Sequence, residues 1–270
     1  MAYRKGVVRL FLVELKRCFS SKGFKISLAV GLLISLMHTW EIYGLYREFP
    51  NRMLLTERYL GADYYYVWHS LYIWLTPILA ALPYASSFLK DRETGYWNQL
   101  AVRSSNIYII RYMVIFLSGV VSVLIPLVSN IILVATFLPV GYPQAMDLQT
   151  SLNNASIMGN LHFTSPLLYT IFFWIIIGLF GGLFACVSLS LSSALRNSFN
   201  LMIYPTFVLI FWNLIANQES ITQWGIFNMI DEGQPYRIAW KPIIIVLLCG
   251  YLVTFTYFTA YKRKKDILEV

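Results

Sequence analysis

The sequence predicts an all-α integral membrane protein with six transmembrane helices. An amphipathic interfacial helix precedes the first span, and a short charged helix lies between the second and third. Three observations predict this. Hydrophobic residues make up 58% of the 270-residue chain and charged ones 13%, about half the roughly 25% charged share of soluble domains. No formal charge falls between Arg111 and Asp147, or between Asp147 and Arg196; a bilayer span needs about 20 apolar residues, and these stretches exceed that. The basic residues gather at the ends of apolar segments, the pattern of the positive-inside rule. The net charge of +8 is therefore read as topology, and no nucleic-acid partner is expected.

The N-terminal element spans 4–20. Val8, Phe11, Leu12, Leu15 and Phe19 recur with helical spacing, and Lys5, Arg9 and Lys16 lie on another side. Such a helix rests in the headgroup layer, its cations toward anionic lipid. Glu14, Lys16 and Arg17 interrupt the run, which excludes a cleavable signal peptide. The first span is 26–46 and carries His38 and Glu41. An ionisable residue in a span is costly, roughly 2.5–3.5 kcal/mol for Asp, Lys or Arg at the centre. His38 and Glu41 are thus candidates for a translocation path; a packed histidine and a snorkelling carboxylate are the alternatives. Residues 47–66 read as an outer loop of mixed charge, and Tyr64, Tyr65, Tyr66, Trp68, Tyr72 and Trp74 as an aromatic belt at the membrane surface.

The second span is 67–89, with Pro77 and Pro83, which require neighbouring helices to satisfy the freed backbone. The charged island Lys90-Asp91-Arg92-Glu93-Thr94-Gly95-Tyr96-Trp97-Asn98-Gln99 follows. Asp91 and Glu93 are the only carboxylates between Asp63 and Asp147. Ser104-Ser105-Asn106 suits the N-cap of the third span, at 107–138 with Pro126. The fourth span, 167–195, has a row of small residues at every fourth position, Gly178, Gly182, Cys186, Ser190 and Ala194, which lets another helix approach closely. The fifth span is 199–216 and the sixth 242–261, closed by Lys262-Arg263-Lys264-Lys265. Residues 217–241 are too apolar for a solvated loop and fit a short hairpin dipping back into the bilayer. Six spans put both termini on one side. Of the 21 basic residues, only Arg47, Arg52, Arg58, Arg237 and Lys241 fall on the other, so both termini are expected in the cytoplasm.

Catalytic signatures are absent. The chain contains no GxxxxGK[ST], HExxH or GxSxG, so no nucleotide, metal or acyl-transfer chemistry is expected of it. His38, His69 and His162 are isolated, and Cys18, Cys186 and Cys249 have no CxxC spacing, so the cysteines are read as packing residues. The chain is expected to be neither an enzyme nor a cofactor protein.

The arrangement resembles the membrane subunit of ABC-2 type exporters: a basic amphipathic helix, six spans, termini inside, a charged helical loop after the second span, and a semi-apolar outer segment before the last. In that family the loop is a cytoplasmic coupling helix that docks on a soluble ATPase. The resemblance implies that Asp91, Arg92, Glu93, Gly95, Tyr96 and Leu100 form the coupling element; a carboxylate four residues before a glycine is the family pattern, which Asp91 and Gly95 fit. It also implies separate ABC ATPase subunits that bind ATP and Mg, a second permease (a copy or a homologue), and a bacterial plasma membrane. The expected cargo is amphipathic, peptide-like or lipid-like. The outer segments are too short for a large extracellular domain. The competing reading is a non-transporting membrane protein: a sensor, an assembly factor or an intramembrane enzyme.

Overall fold

The structure is a computed structural model, described here for residues 2–49, 53–63, 67–97, 99, 107–142, 157–192, 194–195, 197–218, 221–232 and 239–268. Among them the regular elements are all helices: α1 Ala2–Phe19, α2 Lys22–Glu48, α3 Val67–Ala81, α4 Ala85–Glu93, α5 Ile107–Val134, α6 Gly159–Thr164, α7 Pro166–Leu191, α8 Ser198–Gln218, α9 Ile226–Ile230 and α10 Trp240–Leu268, with a 3-10 turn at Thr222–Trp224. Five of them, α2, α5, α7, α8 and α10, are long and apolar enough to cross a membrane.

The second predicted span, 67–89, is not one helix. α3 has 15 residues, about 22 Å at 1.5 Å per residue, short of the roughly 30 Å hydrocarbon core. The chain turns at 82–84 and resumes as α4. Pro83 is the physical reason, because it has no N–H to offer the carbonyl four residues back. That carbonyl belongs to Leu79, and Ser27 Oγ of α2 donates to it instead at 2.7 Å. Ser21 Oγ donates to the Pro83 carbonyl at 2.7 Å. The turn lies directly on α2: a Cβ on Gly23 would stand 2.2 Å from the Leu82 carbonyl oxygen. The same solution recurs in α8, where Pro205 frees the Leu201 carbonyl and Ser188 Oγ of α7 donates to it at 2.5 Å. Pro77 and Pro126, by contrast, sit inside unbroken helices.

α5 and α7 form the centre of the bundle. A Cβ on Gly119 would meet the Gly181 carbonyl oxygen at 2.5 Å and the Ala185 Cβ at 2.7 Å. The predicted small-residue row also faces neighbours: Gly178 lies against Val120 and Leu124 of α5, and Gly182 against Phe116 of α5 and Tyr251 of α10. Ser190 Oγ donates to the Thr254 carbonyl of α10 at 2.9 Å. The row stops there, because α7 ends at Leu191 and Ala194 stands in an exposed turn. α10 is the least enclosed of the five long helices, with 17% of its apolar window buried.

Two connections fold into the bundle. Residues 53–63 read as part of an outer loop of mixed charge, and Met53, Leu55, Thr56, Arg58, Tyr59, Leu60 and Asp63 of it are buried. Residues 221–232 turn back through the 3-10 turn and α9 and bury Ile226, Met229, Ile230, Asp231 and Glu232. The aromatic belt is also corrected: Tyr72 is fully buried and donates its hydroxyl to the Val123 carbonyl of α5 at 2.7 Å. Trp74 is 46% exposed; Tyr64, Tyr65 and Tyr66 lie outside the described residues.

Candidate functional site: two buried polar clusters

The first cluster lies at the end of the bundle that carries the chain termini. α1 reaches it with Phe11 and Leu15 of the marked apolar stripe and with residues beside them that the spacing did not mark. Val8 and Leu12 are more than half exposed, whereas Glu14 and Cys18 are buried. Rotating the helix this way puts Glu14 and Arg17 against α4 and α5. Arg111 of α5 is the centre and is fully buried. Its guanidinium pairs with Glu14 Oε2 at 3.1 Å and with Asp91 Oδ2 at 2.5 Å, and donates to Ser87 Oγ at 2.9 Å. It also stands 4.9 Å from the Tyr84 ring centre and 5.5 Å from that of Trp97, within reach of cation–π attraction. Arg17 donates to both Asp91 oxygens, at 2.9 Å to Oδ2. Tyr84 donates its hydroxyl to Glu14 Oε2 at 2.7 Å.

Two carboxylates face two guanidiniums here, so the burial is charge-neutral, the condition under which buried ions are tolerated. Burial pushes the Cys18 thiol up to about 12, which leaves it unreactive at neutral pH. The cluster locks α1, α4 and α5 together.

α4 runs to Glu93, and Gly95 then takes a left-handed φ of +72° that favours glycine. This turns the chain so that Trp97 packs edge-on against Phe88 and Tyr108, ring centres 4.7 and 4.9 Å away. Of the predicted coupling residues, Asp91 is buried and faces inward, Glu93 is exposed, and Tyr96 is 39% exposed with the Arg17 guanidinium 5.2 Å from its ring centre. Lys90 is exposed beside Glu93. Arg92 is helical. Leu100 and the Ser104-Ser105-Asn106 cap lie outside the described residues. Glu14, Arg17 and Arg111 were not singled out for a shared site; their partners lie 74 and 20 positions apart in sequence.

The second cluster lies at the far end, where 53–63 and 221–232 cover the helices. Asn130 of α5 organises its first half. The Leu60 amide donates to Asn130 Oδ1 at 2.7 Å, which fixes the amide orientation because a backbone N–H can only donate. The two hydrogens of Asn130 Nδ2 are shared among the Ser35 carbonyl at 3.0 Å, Thr39 Oγ1 at 3.0 Å and His38 Nδ1 at 3.1 Å. His38 Nε2 stands 3.6 Å from Asp63 Oδ2. Arg58 donates to Asp63 Oδ1 at 2.9 Å.

The second half joins α3, α7 and residues 231–232. His69 Nδ1 donates to the Leu60 carbonyl at 2.7 Å, and its Nε2 stands 3.1 Å from Asp231 Oδ1. Tyr59 donates its hydroxyl to Glu232 Oε2, and Thr170 Oγ1 donates to Glu232 Oε1 at 3.3 Å. Glu232 is fully buried, and desolvation pushes its carboxyl up to about 8 against the opposing hydrogen bonds from Tyr59 and Thr170. Burial likewise holds the Tyr59 hydroxyl well above its ordinary range.

The two candidate path residues therefore part. His38 is fully buried and bonded into this cluster. Glu41, one turn further along α2, is half-buried with its Oε2 sealed from solvent. Among the described residues no group of His, Cys, Asp and Glu converges on a metal-sized site. Comparison of the chain with protein-family models, curated proteins and solved structures found no match.

Proposed function

We propose that the chain is the membrane subunit of an ATP-driven exporter of the ABC-2 type. It works as a pair of permeases in a bacterial plasma membrane with both termini cytoplasmic. Separate ATPase subunits supply ATP and Mg. The six crossings are α2, the broken α3–α4 segment, α5, α7, α8 and α10. The observation that supports this best is the way α4 is held. Its inward face is tied by Asp91 to α1 and α5, while Lys90, Glu93 and Tyr96 look outward. A small element that is rigid on one side and charged on the other can receive a push from a soluble motor and pass it to the spans. The assignment of the coupling residues is refined accordingly. Glu93, Tyr96 and Lys90 make the docking face; Asp91 transmits, through Arg111, what that face receives.

α1 fits the same scheme. Val8, Leu12 and Val13 are exposed next to the exposed Arg9 and Lys16, an arrangement suited to lying in the headgroup layer of anionic lipid. The cargo class rests on a charge-poor, aromatic chain, which suits amphipathic peptide-like or lipid-like molecules.

The test is purification of the full chain in mild detergent from its native host. The expected result is a stoichiometric P-loop ATPase. Charge reversal of Lys90 and Glu93 together should weaken its retention at least tenfold while thermal unfolding stays unchanged. A chain that purifies without any ATPase, and stimulates none, would overturn the exporter reading in favour of a non-transporting membrane protein.

A further inference from the structure

We propose that the far-end cluster is a proton-binding site centred on Glu232, and that its bound proton keeps residues 53–63 folded over the bundle.

The charges of the cluster carry the argument. His69 of α3 touches both the covering segment and Asp231. A carbonyl only accepts, so the 2.7 Å contact with the Leu60 carbonyl requires a proton on Nδ1. The other ring nitrogen stands 3.1 Å from a carboxylate oxygen of Asp231, which favours a second proton on the ring and an imidazolium–carboxylate pair. Arg58 and Asp63 form the other pair. Among the described residues, Glu232 is bonded by two neutral hydroxyls, those of Tyr59 and Thr170. Ionised, it is a negative charge at a fully buried position held only by those hydroxyls among the described residues, which is costly in a low-dielectric interior. Protonated, it is neutral, and Oε2 still accepts from Tyr59.

The site is also built as a latch. Tyr59, which holds Glu232, belongs to the covering segment. So do Asp63, which faces His38 of α2 and pairs with Arg58, and Leu60, whose amide and carbonyl bind Asn130 of α5 and His69 of α3. Removing the proton from Glu232 leaves a buried carboxylate beneath Tyr59, and lifting the segment lets water reach that charge. The other groups facing this region, among the described residues, are Glu57 on the same segment, Tyr169 and Trp174 of α7, and His162 of α6, whose ring centre lies 5.0 Å from that of Tyr169.

The direction follows from linkage. A carboxyl whose value is raised to about 8 from about 4.3 in the open segment favours the closed form fully below about 4.3 and loses that advantage as pH rises through about 8. Acid closes the latch and alkali loosens it. His162, lowered to about 4 by burial, acts oppositely but only below its ordinary value of about 6.5, so the window from pH 7 to 8 isolates the latch from it.

The experiment uses the full chain in lipid nanodiscs. Infrared difference spectra between pH 6 and 9.5 should show a protonated-carboxyl carbonyl band that disappears near pH 8 and is missing in Glu232→Gln. In the same samples, amide exchange in residues 57–63, divided by the intrinsic rate, should rise with pH over 7 to 8. In Glu232→Gln that rise should be about tenfold shallower per pH unit, the effect of one proton fewer. If Glu232→Gln does not fold, Tyr59→Phe serves: it removes a donor that favours the ionised form, so the band should titrate at higher pH. A spectrum without a titrating carboxyl, or a Tyr59→Phe band that does not move, overturns the site. A titrating band with unchanged exchange in 57–63 overturns the latch. Neither readout involves an ATPase or a cargo, so the result is independent of the exporter assignment.

Discussion

Asp91 sits in a charged island, yet it is 2% exposed. Its carboxylate is the meeting point of Arg17 and Arg111. Removing one partner of a buried ion pair leaves the other charge unmatched, at a cost of about 3–5 kcal/mol. Asp91→Ala should therefore lower the thermal unfolding temperature markedly, as followed by scanning fluorimetry in detergent. Glu93→Ala, two residues on and exposed, should change stability by no more than about 0.5 kcal/mol. Equal losses in the two variants would mean that Asp91 does not hold α4 to its neighbours. The sequence places Asp91 and Glu93 in one loop and makes both coupling residues, Asp91 by its spacing to Gly95. What separates them is pairing with residues 74 and 20 positions away, and charge complementarity over such separations leaves no trace in local spacing. His38 was readable in a different way: a lone histidine in a span suits a packed and bonded role, and Asn130 gives it one.

At the level of elements, apolar length made five helices legible, because runs of this kind have no other stable outcome in lipid. The break in the second span was not. Pro77 and Pro126 are absorbed within helices while Pro83 ends one, and the difference lies in Ser21, Ser27 and Gly23 of another helix. The α5–α7 contact was half legible. The fourfold row on α7 announces a close neighbour, but the tightest backbone approach falls at Gly181 and Gly119, off that row. A direct comparison tests it. Gly119→Ala, whose Cβ would meet the Gly181 carbonyl oxygen at 2.5 Å, forces the two helices apart and should destabilise by about 1–3 kcal/mol. Gly44→Ala in α2 meets nothing within 4 Å and should stabilise by a few tenths to about 1 kcal/mol through helix propensity. Chemical denaturation in mixed micelles would rank the two.

For the whole molecule, the connections between spans carry more structure than their composition announces. Residues 53–63 contain Glu57, Arg58 and Asp63 and read as part of an outer loop of mixed charge; Arg58 and Asp63 are buried as a pair, with Asp63 against His38 of a helix distant in sequence. One global consequence is a pH profile. Glu232, raised to about 8 by burial, contributes stability that is fully present below about 4.3 and lost as pH rises toward 8. His162, lowered to about 4, contributes stability that is present above about 6.5 and lost as pH falls toward 4. Between about 4.5 and 6.5 the two oppose each other. Between 6.5 and 8 His162 no longer contributes, and Glu232 should make unfolding easier by up to about 1.4 kcal/mol per pH unit. Calorimetry across pH 6.5–8 should show this decline in the parent chain and a reduced one in Glu232→Gln; matching slopes would remove Glu232 from the account.

Helix α5 belongs to both polar clusters. Arg111 stands at one end of it, and Asn130, 19 residues on, lies about 28 Å away at 1.5 Å per residue. The first is held by α1 and α4, the second by the Leu60 amide of the covering segment. The bundle thus contains a single beam pinned at both faces. A tilt imposed at the Arg111 end arrives at Asn130 as a sideways throw, and a hydrogen bond of 2.7 Å has little slack to absorb it.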